Sequence, residues 1–369
     1  MKFTINKNII VEALSNAVRA LSTKITIPVL NGILLNLTND GLEVQASDSE
    51  LTIKTTIEAK NIVNIEKEGR AVLQSRCLLE IIRKMPSEII NFELTENNNI
   101  KIYSDINEYI IECYNIGEYP NIALEKSQNT IYLESKILKE MINQTSYAMS
   151  MQEVRPLLTG LNLKINGNIL ECTATDSYRL AQKVIYLDES NNFNVTIPAK
   201  NLLDISKIMP SDGKVDIYVD DKKALFVFDN VLVQTRLIEG NYPQTSRLIP
   251  TSFISELTVD ARDFLSALER ASFIKNEGVN IVRLQLTEDN ILLTCKSNEI
   301  ISQEVIVPTS FTGEAIDISF KGNYVYDAIR ALNTYEVKIN LCGSMKPFTL
   351  VSTNSDQLLQ LVLPIKTYN

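Results

Sequence analysis

The sequence VLQSRCLLEIIRKMP at residues 72–86 returns in a changed but recognisable form as TIPAKNLLDISKIMP at residues 196–210. Both stretches repeat apolar residues at the three-, four- and seven-residue spacings of an amphipathic helix. Each also carries two basic residues seven positions apart, which lie two turns apart on the opposite helix face. A weaker third copy occupies residues 320–332. Three evenly spaced helices of one design predict three tandem repeats of one module.

The same order of elements surrounds each of these helices. A short strand and a first amphipathic helix open the repeats at Phe3, Ile131 and Leu257. Two strands with alternating apolar residues follow, then the second helix, and a final hairpin closes the repeat. Short antiparallel strands combined with two helices predict an α+β fold in which the helices pack on one side of the sheet. We place the three repeats at residues 1–124, 125–250 and 251–369.

The composition is that of an ordinary globular protein. Of the 369 residues, 45% are hydrophobic and 22% are charged. No run approaches the ~18 apolar residues that a membrane span needs, so we expect a cytoplasmic protein. The five cysteines lie far apart with no C-x-x-C pair. This spacing predicts buried, reduced thiols rather than disulfides or a zinc site.

An enzyme is the main alternative, and its best candidate residues are acidic. The chain has no histidine, which removes the commonest general base and metal ligand. Asp212, Asp216, Asp220 and Asp221 could hold a metal ion only if their oxygens converged in one cleft. Their sequence, DGKVDIYVDDKK, instead predicts a strand between two turns. No glycine-rich phosphate-binding motif occurs, and we predict no catalytic residue, no metal and no cofactor.

The charges are distributed unevenly along the chain. The six predicted helices hold 14 lysines and arginines against 7 acidic residues, whereas the whole chain carries a net charge of −9. Positive charge is therefore concentrated on one repeated element of an otherwise acidic protein. This distribution is typical of a surface that faces nucleic-acid phosphates.

Several short motifs, in their order along the chain, resemble one known family. They are the start MKFTI, KITIPVL at residues 24–30, ATDSYRL at residues 174–180, GNYP at residues 240–243 and LPI at residues 363–365. Together with three α+β repeats, they resemble the bacterial sliding clamp, the β subunit of the DNA polymerase III holoenzyme. The resemblance spans the entire chain.

The resemblance implies a function without catalysis. Members of this family form a homodimeric, head-to-tail ring of six similar domains, through which duplex DNA slides without any reading of its sequence. The implied partners are the polymerase III α subunit, which the clamp tethers for processivity, the clamp loader and other proteins that carry a clamp-binding motif. A monomeric three-repeat protein-binding scaffold stays open as an alternative, which the native mass distinguishes from a ring.

The resemblance also implies three sets of site residues. The DNA-facing set is Lys24, Arg76, Arg83, Lys136, Gln152, Arg155, Lys200 and Lys207. The dimer-interface set is Tyr109, Ile111, Phe273 and Ile274. The partner-peptide groove is lined by Leu158, Thr175, Ser177, Tyr178, Arg179, Leu180, Pro243, Arg247, Leu248, Tyr324, Met345, Pro347, Leu363, Pro364 and Ile365.

The groove departs from the family pattern at its central turn. Ser177 and Tyr178 stand where some members carry Gly and His, and this is the only one of the three equivalent turns with an aromatic residue and an arginine. Pro156 and Leu157 stand where some members carry aromatic residues, which argues against DNA contact by these two. The groove is expected to bind an extended peptide of the Gln-Leu-x-Leu-Phe type through a few apolar anchors.

Overall fold

The computed structural model describes residues 1–22, 27–275, 278–287 and 290–366, and within these it describes no side chain of residues 75–77. Its α-helices match the six predicted ones. They are α1 (Lys7–Ala17), α2 (Ser75–Lys84), α3 (Ser135–Thr145), α4 (Ala199–Ile208), α5 (Ala261–Ala271) and α6 (Gly322–Leu332). Within the described ranges, no helix is both long and apolar enough to cross a membrane.

The strands follow the predicted order in each repeat. The first repeat contains β1 (Lys2–Asn6), β2 (Gly32–Thr38), β3 (Gly41–Ser47), β4 (Leu51–Glu58), β5 (Ile62–Lys67), β6 (Gly69–Gln74), β7 (Ile89–Leu94), β8 (Asn99–Tyr103) and β9 (Glu108–Tyr114). The second contains β10 (Asn129–Glu134), β11 (Gly160–Thr175), β12 (Arg179–Pro198), β13 (Lys214–Val219), β14 (Lys223–Phe228) and β15 (Val231–Arg236). The third contains β16 (Ser255–Asp260), β17 (Ile281–Leu286), β18 (Ile291–Lys296), β19 (Ile301–Ile306), β20 (Ser310–Gly313), β21 (Ile316–Lys321), β22 (Glu336–Leu341), β23 (Phe348–Ser352) and β24 (Leu358–Val362).

Local side chains define several helix ends. Asp260 precedes α5, and its carboxylate accepts hydrogen bonds from the N–H groups of Arg262 and Asp263, each at 2.9 Å. These bonds satisfy two donors that the first helical turn leaves free. Asn6 caps α1 in the same way, accepting from the N–H of Asn8 at 2.9 Å. At the other end of α6, Asn333 takes the left-handed conformation with φ 47°, which stops the helix.

The first of two compact units comprises Met1–Lys136 and Asp204–Leu237. Its strands form one antiparallel sheet in the order β10-β13-β14-β15-β4-β3-β2-β6-β9-β8-β7-β1-β5. The helices α1 and α2 pack together, and Phe3 and Phe92 stack in the core with ring centroids 4.8 Å apart. The second repeat joins the first through the pairing of β15 with β4, in which Val231 lies opposite Thr55.

The second unit comprises Ile137–Leu203 and the chain from Ile238 onward. One sheet has the strand order β11-β12-β24-β23-β22-β16-β20 and a smaller one has the order β19-β18-β17-β21. The helices α5 and α6 pack together over a core that includes Phe264, Phe320 and Phe348. The third repeat joins the second through the pairing of β12 with β24, in which Arg179 lies opposite Val362.

The two units do not coincide with the predicted repeats. The second repeat contributes β10 and β13–β15 to the first unit but β11 and β12 to the second. Its strands β15 and β12 extend the sheets of the neighbouring repeats. The α+β class is confirmed, while the boundaries at residues 124 and 250 stay a prediction.

The acidic segment has the predicted turn structure. Asp220 lies in the turn between β13 and β14, where its Oδ1 accepts hydrogen bonds from the N–H groups of Lys222 and Lys223, each at 2.7 Å. In the described part of the chain, no group of acidic or cysteine side chains is arranged to hold a metal ion. The four cysteines whose side chains are described, Cys113, Cys172, Cys295 and Cys342, are free and buried.

Candidate functional site

An apolar pocket of about 500 Å³ lies in the second unit beside the hairpin of β11 and β12. Leu158, Thr175 and Thr245 are buried in its wall, whereas Leu248 is 55% exposed at its mouth. The full lining consists of Arg155, Pro156, Leu157, Leu158, Thr175, Ser177, Glu239, Pro243, Thr245 and Leu248. A concave, mostly apolar surface with a few polar groups is the usual form of a site for a small ligand or a peptide side chain.

Two irregular segments give the pocket its shape. Residues Pro156–Thr159 form a single 3₁₀ turn before β11, and the turn buries Leu158. Gly240, after β15, has a φ of 117°. A Cβ atom at this position would lie 3.1 Å from Cδ1 of Leu157, and the backbone conformation itself is unfavourable for other residues. Gly240 thus lets the chain pass close to the leucine that forms one wall.

The turn between β11 and β12 is held by its own side chains. Oδ1 of Asp176 accepts hydrogen bonds from the N–H groups of Tyr178 at 2.8 Å and Arg179 at 2.9 Å. Oγ1 of Thr175 accepts from the N–H of Ser177 at 3.1 Å and donates to the carbonyl of Arg179 at 2.6 Å. Ser177 takes the left-handed conformation with φ 79°. Such a fully bonded turn presents its side chains in fixed positions.

Arg179 ties this turn to helix α6. Its Nε donates to Oδ2 of Asp176 at 3.1 Å, and its Nη1 donates to Oδ2 of Asp327 at 2.7 Å. The guanidinium carbon lies 5.2 Å from the ring centroid of Tyr147 and 4.5 Å from that of Tyr324. The side chain is only 12% exposed, so most of its N–H donors and its charged face are engaged by groups of the protein itself.

The C-terminal segment lies against the same turn. The N–H of Leu363 donates to the carbonyl of Tyr178 at 2.9 Å, and the N–H of Ile365 donates to the carbonyl of Ser319 at 2.7 Å. Below it, the Tyr147 hydroxyl donates to Oε1 of Gln360 at 2.5 Å. Burial raises the pKa of this phenol, so the hydroxyl remains a donor across the physiological range.

The structure brings together only part of the predicted groove. Leu158, Thr175, Ser177, Pro243 and Leu248 line the pocket. A second group is linked through the turn and the C-terminal segment: Tyr178, Arg179, Tyr324, Leu363 and Ile365. The remaining predicted residues are not part of the pocket lining: Leu180, Arg247, Met345, Pro347 and Pro364. Leu180 is 1% exposed and belongs to the core.

Four pocket residues were not predicted: Pro156, Leu157, Glu239 and Thr245. The sequence holds a partial signal for them, because they flank the predicted residues Leu158, Pro243 and Leu248. Their common location depends on the 3₁₀ turn and on the backbone at Gly240, neither of which an apolar pattern reveals.

Some of the predicted DNA-facing cations are engaged with neighbouring helix side chains. Nη2 of Arg83 donates to Oγ of Ser15 at 3.0 Å, and its Nη1 lies 3.5 Å from Oε1 of Glu80. Nζ of Lys207 donates to Oδ1 of Asp204 at 3.0 Å. The acidic residue between the basic pair of each helix therefore binds one of the cations and holds it in place.

The other residues predicted to face DNA are distributed differently. Lys136 and Lys200 are exposed near the starts of α3 and α4, and Gln152 is exposed in the loop before β11. Arg155 lies at the apolar pocket, where its Nη1 donates to Oγ of Ser177 at 3.3 Å. Two predictions cannot be placed. Lys24 lies outside the described residues, and Arg76 is a residue of α2 whose side chain is not described.

The predicted interface residues after α5 point in opposite directions. Phe273 is 67% exposed, but Ile274 is only 2% exposed and packs with Ala271 and Cys295 in the core of the chain. Nδ2 of Asn280 donates to the carbonyl of Ile274 at 2.8 Å and holds the segment in this turn. The side chain of Ile274 therefore packs inside its own chain, and its part in an interface between copies stays a prediction.

The predicted interface residues on β9 lie beside a free strand edge. Tyr109 is 37% exposed and Ile111 is half-buried, and the neighbouring Ile110 is 64% exposed. The strand β9 pairs with β8 along its length but with β6 only at Cys113 and Tyr114. Among the described strands, none pairs with the other edge of β9 from residue 108 to residue 112.

Three sequence models of one family match the chain. The DNA polymerase III beta subunit N-terminal domain matches residues 1–123, the central domain matches residues 132–244 and the C-terminal domain matches residues 246–366. The beta sliding clamp of Bacillus subtilis (strain 168) is 37% identical over 378 residues, and that of Staphylococcus aureus is 36% identical over 376 residues. Both comparisons cover 100% of each chain.

Solved structures give the same result. The crystal structure of the DNA polymerase sliding clamp from Bacillus subtilis superposes with a TM-score of 0.96 at 37% identity and covers 100% of both chains. The DNA polymerase III beta chain from Streptococcus pneumoniae superposes with a TM-score of 0.95 at 33% identity, covering 99% of this chain and 100% of that one.

Proposed function

Because this chain belongs to the family of the DNA polymerase III beta subunit, the beta sliding clamp, it is a DNA sliding clamp and not an enzyme, and we propose that two copies close head to tail into a ring around duplex DNA. The family assignment supports clamp function over the monomeric scaffold considered from the sequence. Such a clamp acts as a processivity factor for its polymerase, because a ring on DNA holds by enclosure instead of by tight binding.

The observation that supports ring closure is that two equivalent strand pairings connect the repeats within the chain. In the first repeat, the strand after the turn that follows β3, β4, pairs with the last strand of the second repeat, β15. In the same way, β12 of the second repeat pairs with β24, the last strand of the third. The equivalent strands that remain are β19 in the third repeat and β9 in the first.

Both remaining strands have an unpaired edge among the described residues. The strand β19 pairs only with β18, and Ile301 and Val305 on it are 62% and 66% exposed. An edge strand with apolar side chains needs a cover or a partner. Head-to-tail pairing of β19 with β9 of a second copy uses the same kind of strand pairing that joins the repeats twice within the chain. Two such pairings close a ring of two copies, in which the free edges of β19 and β9 are both paired.

Native mass tests this closure. Phe273, exposed after α5, is the predicted interface residue suited to substitution. Phe273→Lys should give a folded chain with half the native mass, because it places a charge in an apolar contact between copies. Tyr335→Lys is the control, since Tyr335 is also largely exposed, at 79%, but lies away from β9 and β19 in the sequence. A dimer that persists in Phe273→Lys at micromolar concentration would argue against this interface.

We propose that the basic helix residues, such as Lys200 of α4, face the enclosed DNA. Lysine and arginine attract phosphates without selecting a base sequence, so the duplex can slide and rotate. The expected behaviour is retention of the loaded protein on closed circular DNA and its loss from the same DNA after linearisation. Equal retention on both forms would contradict enclosure.

We propose that the apolar pocket is the docking site for the polymerase III α subunit, the clamp loader and other proteins with a clamp-binding motif. Its size and apolar lining suit one or two anchor side chains of an extended peptide. In an anisotropy titration with a Gln-Leu-x-Leu-Phe peptide, Leu248→Asp should weaken binding by at least tenfold. Val63→Asp is the matched control, because Val63 is similarly exposed, at 60%, but lies on β5 of the first repeat. Equal losses in both variants would show that the loss is not specific to the pocket.

We also propose that the chain divides at about residues 124 and 250 into three repeats that correspond to the three domains of the ring half. The proposed place of action is the cytoplasm, where a clamp of a bacterial polymerase meets DNA.

A further inference from the structure

Arg155 lies at the mouth of the apolar pocket with a guanidinium that is largely free. Its Nη1 donates to Oγ of Ser177 at 3.3 Å, and the side chain is exposed. In the part of the chain that the structure describes, no carboxylate forms an ion pair with this guanidinium. The fork of N–H donors on an arginine matches the two oxygens of a carboxylate, so Arg155 has capacity left for one.

The acceptor of this hydrogen bond is itself fixed. Ser177 has a φ of 79°, a conformation that glycine adopts more easily, and its N–H is bound to Oγ1 of Thr175. Ser49 has almost the same conformation, with φ 78°, in the equivalent turn of the first repeat. Its N–H is bound to Oγ of Ser47 at 3.1 Å. The serine conformation is therefore shared by the first two repeats, but of these two serines only Ser177 meets an arginine at a pocket.

We propose that Ser177 is a positioning residue that holds Arg155 over the pocket, so that the site prefers peptides with a carboxylate next to their apolar anchor. This inference rests on the proposed docking pocket and adds a selectivity to it. A serine hydroxyl can receive the arginine hydrogen bond, whereas a glycine at this position offers no side-chain acceptor. Without the bond, the long arginine side chain samples many rotamers, and ordering it against a ligand costs conformational entropy.

Glu239 is the opposing charge in the same lining. Its carboxylate repels a carboxylate on the ligand and reduces the preference that Arg155 creates. The two residues therefore have opposite expected effects on one measurement. Removing the Ser177 hydroxyl should weaken the preference for an acidic peptide, and removing the charge of Glu239 should strengthen it.

Anisotropy titrations with three labelled peptides test this inference. The first is Gln-Leu-Asn-Leu-Phe with an amidated C-terminus, the second has Asp in place of Asn, and the third has Asn with a free C-terminal carboxylate. The protein should bind at least one carboxylate peptide about three- to tenfold more tightly than the neutral one, the range expected for an exposed charge-assisted contact. The arm that shows the preference identifies the carboxylate as side chain or terminus.

The variants separate positioning from other roles. Ser177→Gly, Ser177→Ala and Arg155→Gln should each reduce the preference, taken as the ratio of the affinities for the carboxylate and neutral peptides, to less than about twofold. Ser49→Gly is the matched control and should leave all affinities unchanged, and Glu239→Gln should increase the preference. A preference that survives in Ser177→Gly, or a wild-type protein that binds all three peptides equally, would overturn the inference and leave the docking pocket standing. Failure of every peptide to bind the wild type would overturn the docking pocket itself and this inference with it.

Discussion

Arg179 combines ion pairs and aromatic contacts in a single side chain. It binds Asp176 and Asp327 through separate nitrogens and lies between the rings of Tyr147 and Tyr324. A guanidinium suits these demands because it is planar, permanently charged and carries donors on several nitrogens. The residue fixes the second repeat on helix α6 of the third, and this structural role accounts for an arginine in the turn.

Replacing Arg179 with lysine should therefore reduce stability more than peptide binding. Lysine retains the charge but cannot reach both carboxylates and both rings, so we expect a loss of about 2 kcal/mol in the free energy of unfolding. Urea denaturation followed by circular dichroism measures this loss in a chain that has no tryptophan. Arg247→Lys, at an exposed position, serves as the control.

Peptide affinity then decides between two roles for Arg179. The pocket lining does not include it, so the affinity for Gln-Leu-x-Leu-Phe should change less than about twofold. A large loss of affinity at unchanged stability would instead show that Arg179 contacts the peptide directly, as the resemblance to the family implied.

Residue-level predictions from the sequence succeeded where they depended on local order. The turn at Asp220 depends on residues two and three positions away, and it is present. The burial of Ile274 could not be read from the sequence, because its carbonyl accepts a hydrogen bond from Asn280 that periodicity does not describe. The contact between Arg155 and Ser177 was not predicted either, since the two residues lie on different segments.

The edge strand β19 is the element on which the proposed ring depends most. Its position at the end of a sheet and its exposed apolar residues suit pairing with a second copy. The strand β5 offers a comparison within the same chain. It also lies at the end of a sheet, and Val63 on it is 60% exposed, close to the 66% of Val305 on β19.

Introducing a charge on these two strands should have different results. Val305→Lys should shift the native mass towards the single chain, because it puts an ammonium group into the contact between copies. Val63→Lys changes an edge strand outside the proposed join, so the dimer should remain. Sedimentation velocity at several concentrations measures both. Equal dissociation of both variants would point to a general loss of structure, and two intact dimers would exclude β19 from the interface.

The strand β19 also carries a pH-dependent contact. Arg270 of α5 donates from Nε and Nη2 to the two oxygens of Glu304, at 2.9 Å and 2.8 Å. These hydrogen bonds hold the pKa of the Glu304 carboxyl below its usual value of 4.5. The contribution to stability is therefore complete above pH 4.5 and is lost as the pH falls through the lowered pKa.

The comparison of Glu304→Gln with the wild type tests this contact. The wild type should be slightly more stable near pH 7, and the difference in unfolding midpoint should shrink as the pH falls from about 5 to about 3. The effect should be small because the arginine is largely exposed. Arg270→Gln removes the hydrogen-bond donor that lowers the pKa of Glu304. In a chain that carries this change, adding Glu304→Gln should cause no pH-dependent change in the unfolding midpoint. A difference that grows on acidification would contradict the lowered pKa.

At the scale of the whole molecule, the joins between repeats are formed by strand pairing. The sequence predicted the number, order and class of the repeats because hydrophobic periodicity recurs in each of them. It could not predict that the second repeat is divided between two compact units, because that division arises from the pairing of β15 with β4 and of β12 with β24. Pairing between repeats depends on strand edges, which a single repeat does not specify.

Charge-reversal variants of the basic helices can measure how much charge contributes to DNA binding, separately from enclosure by the ring. Lys200→Glu combined with Lys207→Glu reverses two charges on α4. Lys222→Glu combined with Lys214→Glu makes the same change of net charge around β13, where both lysines are exposed. If the helices face the phosphates, only the first pair of changes should weaken residual DNA binding, and the loss should be alike for all base sequences.

A change in salt concentration then distinguishes charge attraction between protein and DNA from enclosure of the DNA by the ring. Raising the salt concentration from about 50 mM to about 500 mM should greatly weaken binding to linear DNA, because releasing counterions into a more concentrated salt solution gains less free energy. Protein already loaded on a closed circle should remain bound at the higher salt, in the wild type and in both double variants, since it cannot leave without opening the ring. Release from the closed circle at the same rate as from the linear form would show that attraction alone holds the protein, and the ring proposal would fail while the charge proposal survived.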